Sequence, residues 1–155
     1  MDREAWADEP NVRVDLVGRD AKATLWRCDA VFADSPCRPT IAVRDKAKAI
    51  EFFGSVLGLK LVDENQPGAT FACGGGTYLE IYPSPFAGTA KNTVAGFHVS
   101  DLETTMRELR SRGLEFEDYE TPRTVEGVAQ LGPNRGAWFK DPDGNIFALV
   151  ELQAA

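Results

Sequence analysis

The residues with chemistry to offer are few. Glu80 is the carboxylate of the segment TYLEIYP, residues 77 to 83, with Tyr78 and Tyr82 two positions to either side. Strand alternation places all three on one face, a general-base candidate between two rings whose hydroxyls can orient a flat ligand. His98 is the only histidine. Alternation sets it with Val94 and Gly96 against Ala95, Phe97 and Val99, and the more apolar set belongs under a helix. His98 therefore falls on the open side, as a base, a hydrogen-bond donor or a satisfied structural histidine at a strand end. Trp138, beside Phe139, offers a further ring whose facing depends on strand register. The three cysteines, Cys28, Cys37 and Cys73, have no CxxC spacing and cannot all pair, which fits reduced thiols better than a metal or redox role. Cys73, with no base near it in sequence, reads as a small core residue.

These side chains need a scaffold, and length and composition bound it. A chain of 155 residues, 43% hydrophobic, suffices for a well-filled core without staples. A net charge of -7 disfavours nucleic acid and anionic membrane as partners, since both demand a basic face. No stretch reads as a signal-peptide core or as a run of about 18 apolar residues, so a cytoplasmic protein is the expectation.

An internal repeat organises the chain. Residues 40 to 59, TIAVRDKAKAIEFFGSVLGL, read as a short strand, a capping Asp, an amphipathic helix and a Gly stop. Residues 95 to 114, AGFHVSDLETTMRELRSRGL, repeat that plan, with Val43 and Asp45 matching Val99 and Asp101 at a spacing of 56. Ala49, Phe52, Phe53, Val56 and Leu57 form the apolar stripe of the first helix, and Leu102, Thr105, Met106 and Leu109 that of the second. Three strand-like segments follow each helix: 59 to 65, 69 to 74 and 77 to 83 in the first half, and 114 to 120, 128 to 131 and 136 to 152 in the second. The last of these is a hairpin turned by Asp141, Pro142, Asp143, Gly144 and Asn145. Aligning this turn with the GGG turn at 74 to 76 sets Glu80 on Ala148.

Two consecutive strand, helix, three-strand units resemble the vicinal oxygen chelate superfamily, which includes glyoxalase I, extradiol dioxygenases and bleomycin or fosfomycin resistance proteins. The resemblance rests on VRDKAKAIEFFGSVLGL (43 to 59), YLEIY (78 to 82), FHVSDLE (97 to 103) and AWFKDPDGNIFALVE (137 to 151). It implies an α+β fold of two tandem βαβββ modules forming a half-open eight-stranded barrel, helices outside and the ligand cavity inside. The expected organisation is a domain over 38 to 153, with modules 38 to 86 and 94 to 153 joined by a linker at 87 to 93. Residues 1 to 37 lie outside the resemblance and read as an N-terminal arm: an added edge strand, a segment reaching across to a second subunit, or a mobile segment.

In metal-using members, four cavity positions supply His, Glu, His and Glu to a divalent ion. Carried onto this chain they are Arg38, Glu80, Val94 and Ala148, of which only Glu80 can bind metal. A catalytic site needs about three protein ligands with one position open, and a guanidinium has no lone pair to give. The expectation is therefore no metal and no other cofactor, with Arg38 either paired to Glu80 and partly free to grip an anionic or carbonyl-bearing ligand, or turned to solvent. Three classes follow: a metal-free protein binding a small aromatic or anionic molecule at Arg38, Tyr78, Glu80, Tyr82, His98 and Trp138; a metal-independent lyase or isomerase using Glu80 or His98 as base; and a metal-dependent glyoxalase or dioxygenase, for which the ligand set fails. The superfamily's habit implies a homodimer.

Overall fold

The computed structural model describes residues 32, 35–64 and 67–153. Contacts divide the chain after Pro36, and the fold described below is that of the second unit. The edge strand or mobile segment expected within residues 1 to 37 falls almost wholly outside the described residues.

Each half of this unit builds one sheet. The first contains β1 (Thr40–Val43), α1 (Lys46–Glu51) continued as a π-helical turn over Phe52–Val56, β2 (Lys60–Glu64), β3 (Ala69–Ala72) and β4 (Tyr78–Pro83). The second contains β5 (Thr93–Val99), α2 (Leu102–Ser111), β6 (Thr124–Val125), β7 (Val128–Leu131), β8 (Asn134–Lys140) and β9 (Ile146–Glu151). Strand order is β1-β4-β3-β2 in one sheet and β5-β9-β8-β7-β6 in the other. In both, the strand before the helix pairs in parallel with the last strand, β1 with β4 and β5 with β9. The two sheets share no strand, so the barrel stays open.

The helices start where sequence says they must. Asp45 accepts hydrogen bonds from the backbone N–H groups of Ala47 and Lys48, and Asp101 from that of Thr104, which satisfies donors a helix N-terminus leaves orphaned. Their apolar stripes then meet in a single core. Phe53 packs on Phe71 of the first sheet and on Phe147 of the second, and Phe147 stacks on Phe139. Phe53, Phe71, Phe139 and Phe147 are all fully buried, each contributing roughly 1.5–3 kcal/mol of hydrophobic stabilisation. This shared aromatic core occupies the helix-covered side of both sheets and leaves the other side of each open.

The hairpin turn at 141 to 145 joins the two halves. Gly144 takes φ of 92°, the left-handed conformation that closes the turn and that a side chain would strain. Asn145 has a different job. Its amide donates to the Ala42 carbonyl at 2.8 Å and to Asp141 Oδ2 at 2.7 Å, while its Oδ1 accepts from the Gly88 N–H at 3.0 Å. Asp143 accepts from the backbone N–H of Arg44 at 2.9 Å and pairs with its guanidinium at 3.4 Å. A turn of the second module thus satisfies backbone groups of β1 and of the linker.

One expected strand does not form. Residues 114 to 120 make only isolated bridges, Phe116 to Phe139 and Glu120 to Arg123, while the short β6 arises within the segment expected to be a loop. Leu114 is buried and Phe116 partly so, in keeping with alternation, but Asp118 breaks the ladder. Its carboxylate accepts from Thr124 Oγ1 at 2.8 Å and from the Gly127 N–H at 2.9 Å. An aspartate that bonds its own neighbourhood offers the chain an alternative to pairing.

Candidate functional site

On the open face of the first sheet, β4 alternates as expected. Leu79 and Ile81 are buried in the core, whereas Tyr78, Glu80 and Tyr82 face outward. Thr40, Glu80, Thr70 and Asp63 stand in one row across β1, β4, β3 and β2. Arg38 precedes β1 and turns onto this face. Its Nη1 donates to Glu80 Oε1 at 2.8 Å, and its guanidinium lies 4.6 Å from the centre of the Tyr78 ring. The ring's negative face and the carboxylate hold the cation from two sides. Arg38 and Glu80 border a cleft of about 350 Å³, lined also by Thr40, Thr70 and Tyr82. The ion pair is half-open, with side chains 39% and 37% exposed, so water screens it to about 0.2–1 kcal/mol. The bond to Glu80 therefore holds Arg38 only weakly.

The open face of the second sheet is built differently. A bulge between Thr93 and Ala95 places Thr93, opposite Ile146, where alternation would have set Val94. Val94 packs instead against the core, which corrects the reading that grouped it with Gly96 and His98. Further along, Gly96, Ala148 and Trp138 stand in register across β5, β9 and β8. Trp138 Nε1 donates to Thr93 Oγ1 at 3.2 Å. To reach β5 from β8 the indole must pass over β9, the strand between them. Ala148 is only 6% exposed although it lies on the open face, because Trp138 covers it. The alanine that replaces a potential ligand makes room for an indole.

His98 is exposed on this same face, opposite Val150. Glu80 belongs to the other sheet, and no hydrogen bond or ion pair joins the two among the described residues. The cleft beside Trp138, about 270 Å³ and lined by Thr93, Tyr119 and Ile146, shares no residue with the cleft beside Glu80. Cys73 is partly buried against the core, where desolvation pushes its thiol pKa up and keeps it a thiol. Two residues of the second face escaped the sequence reading. Thr93 needed knowledge of the bulge, and Tyr119 was assigned to a strand that does not form.

The donor set for a divalent ion can now be tested residue by residue. Arg38 is committed to Glu80 and Tyr78, Val94 is turned into the core, and Ala148 lies beneath an indole. Among the described residues no three His, Cys, Asp or Glu side chains gather closely enough to hold a metal ion. One carboxylate remains where about three ligands are needed, so these residues do not fit the group.

The chain matches the family model of the Glyoxalase/Bleomycin resistance protein/Dioxygenase superfamily over residues 36–149. It belongs to that superfamily. No curated protein matches it. Among solved structures, it is 26% identical to a member of the same superfamily from Sphaerobacter thermophilus DSM 20745, covering 74% of this chain and 94% of that one with a TM-score of 0.57. An antibiotic binding protein from Streptomyces sp. CB03234 is 22% identical over 75% of this chain and 93% of its own, TM-score 0.59. A genomically encoded fosfomycin resistance protein from Listeria monocytogenes is 16% identical over 76% and 93%, TM-score 0.58. The two modules with an open barrel are therefore this superfamily's fold. Among the described residues no helix is long and apolar enough to cross a membrane.

Proposed function

We propose that this superfamily member binds a small aromatic or anionic organic molecule without a metal, on the face that carries Arg38, Tyr78, Glu80 and Tyr82. The observation that carries this reading is the Arg38 side chain. It occupies the position of a metal ligand, bonds Glu80 through one nitrogen and stacks on Tyr78, leaving the rest of its guanidinium to meet a carboxylate or carbonyl. Tyr78 and Tyr82 are each more than a third exposed and offer rings for a flat ligand to stack on. His98 and Trp138, on the other sheet, join the same ligand only if a second copy of the chain brings the two kinds of open face together. Each cleft here is an open half, and a homodimer that closes them is part of the proposal. The antibiotic binding protein among the similar structures makes sequestration a plausible physiological form of such binding. The strongly acidic chain points away from nucleic acid, and a cytoplasmic setting suits the free thiols of Cys37 and Cys73.

A lyase or isomerase using Glu80 or His98 has less support. Glu80 is held by a cation, and among the described residues His98 has no carboxylate to orient it and does not converge with Glu80.

The test is calorimetric titration of wild type and Arg38→Met with a panel of aromatic carboxylates. Wild type shows saturable binding without turnover, and Arg38→Met loosens it about tenfold or more, the worth of a charge-assisted hydrogen bond. Its melting temperature moves by no more than about 4 °C, since the pair is half-open. Unchanged affinity in Arg38→Met sinks the reading.

A further inference from the structure

The cleft on the second sheet carries a group that the fold leaves unspent. The Tyr119 hydroxyl is buried and has no hydrogen-bond partner among the described residues. Its ring meets the Trp138 indole edge-on, with centroids 5.9 Å apart and planes at 87°. Buried hydroxyls almost always find a partner, because an unpaired one forfeits its hydration for nothing. Tyr119 is anchored where it stands: its backbone N–H donates to Thr124 Oγ1 at 2.7 Å and its carbonyl accepts from the Thr124 N–H at 3.0 Å. The hydroxyl is therefore not free to turn to solvent with its loop.

The indole that the Tyr119 ring meets is lightly held. Trp138 rests over Ala148 between Gly96 and Gly136, residues too small to interlock with it, and its polar tether is the one exposed bond to Thr93. Lys91 stands at the border of the same cleft, exposed, with no ion-pair partner among the described residues. An aromatic platform, a phenolic donor and an ammonium group thus meet around about 270 Å³, enough for a single substituted ring or a fused pair.

We propose that this cleft is a second binding subsite, in which a planar aryl anion stacks on Trp138, displaces its edge from Tyr119 and accepts a hydrogen bond from the Tyr119 hydroxyl. The inference rests on the reading of the chain as a small-molecule binder but names a different cleft, in which Tyr119 and Lys91 join Trp138. Desolvation, ahead of the nearby Glu117 carboxylate, pushes the Tyr119 pKa up, so the phenol keeps its proton and stays a donor at neutral pH. Trp138 supplies contact area, Lys91 compensates the charge, and Tyr119 sets the preference for a ligand bearing an anionic oxygen.

The probe pair is 4-nitrobenzoate and 4-nitrotoluene, which differ in the carboxylate, titrated against the full chain carrying Trp6→Phe and Trp26→Phe so that Trp138 is the sole tryptophan and is excited selectively at the red edge. Saturable quenching by 4-nitrobenzoate, with Tyr119→Phe weakening it about tenfold or more and erasing the preference over 4-nitrotoluene, is the expected result. Tyr119→Phe should melt at the same or a higher temperature, since it deletes a buried group that bonds nothing. Quenching that is linear with concentration, an affinity that Tyr119→Phe leaves alone, or a fall of several degrees in its melting temperature each overturns the proposal. Arg38→Met separates the two sites. Loss there with Tyr119→Phe unaffected keeps the first reading and discards this one, and the reverse keeps this subsite and discards the first.

Discussion

Asn145→Ala probes the physical basis of the two-module fold directly. Asn145 is 4% exposed, and its side chain spans β1, the linker and its own turn through three hydrogen bonds of 2.7 to 3.0 Å. Truncation leaves the Ala42 carbonyl, the Gly88 N–H and one oxygen of the buried Asp141 without partners. Each neutral group costs about 1 kcal/mol and the carboxylate oxygen more, for a total of about 3–5 kcal/mol. In a domain of this size each kcal/mol moves the melting temperature by roughly 4 °C, so the expected fall is about 12–20 °C. Calorimetry with parallel urea titration measures both quantities. A loss below about 1 kcal/mol would mean that the aromatic core alone holds the modules together, and the role given to the turn would be wrong. Asn145→Asp sharpens the test. It keeps the acceptor for Gly88 but sets a second carboxylate against Asp141, whose pKa burial already raises. Raised carboxyl pKa values give stability that is present below about pH 4 and lost as pH climbs through the shifted values. Asn145→Asp should therefore lose more stability at neutral pH than near pH 4.

Two further outcomes follow from the same geometry. Gly88→Ala should abolish folding or reduce soluble yield severely, because a Cβ at that position would lie 1.8 Å from the Asp143 carbonyl oxygen and φ there is 69°; a variant with native circular dichroism and an unchanged melting point would contradict the docking of turn on linker. Glu151 has its pKa lowered chiefly by the Arg135 hydrogen bond, then by the Leu102 N–H. The stability it contributes is present above about pH 4.5 and lost as pH falls through the lowered value, so Glu151→Gln should flatten the acid limb of a plot of melting temperature against pH over about pH 2.5 to 6; parallel limbs in the two proteins would refute this.

Much of the molecule was legible along the chain because its signals are local. Helix caps at Asp45 and Asp101, apolar stripes that include Phe53 and Met106, and strict alternation through Leu79, Glu80 and Ile81 all act within a few residues, and the structure follows them. Segment 114 to 120 misled for a local reason as well. Its alternation was real as far as Phe116, but the Asp118 carboxylate bonds the loop that follows, and that competition is invisible to a pattern of polar and apolar letters.

By itself the sequence determined the paired strand, helix, three-strand units and the superfamily they resemble, since these depend on residue type and period alone; that resemblance in turn implies metal-ligand positions at which only Glu80 carries a donor. Tertiary structure decided what stands in the ligands' place. Whether Arg38 meets Glu80 depends on two strands 42 residues apart lying in parallel. Whether Val94 or Thr93 faces outward depends on a one-residue bulge, and one residue reverses a side chain's face. The cover over Ala148 exists because β9 lies between β5 and β8. Cross-strand placement is a long-range property of the folded chain, and no short window of residues contains it.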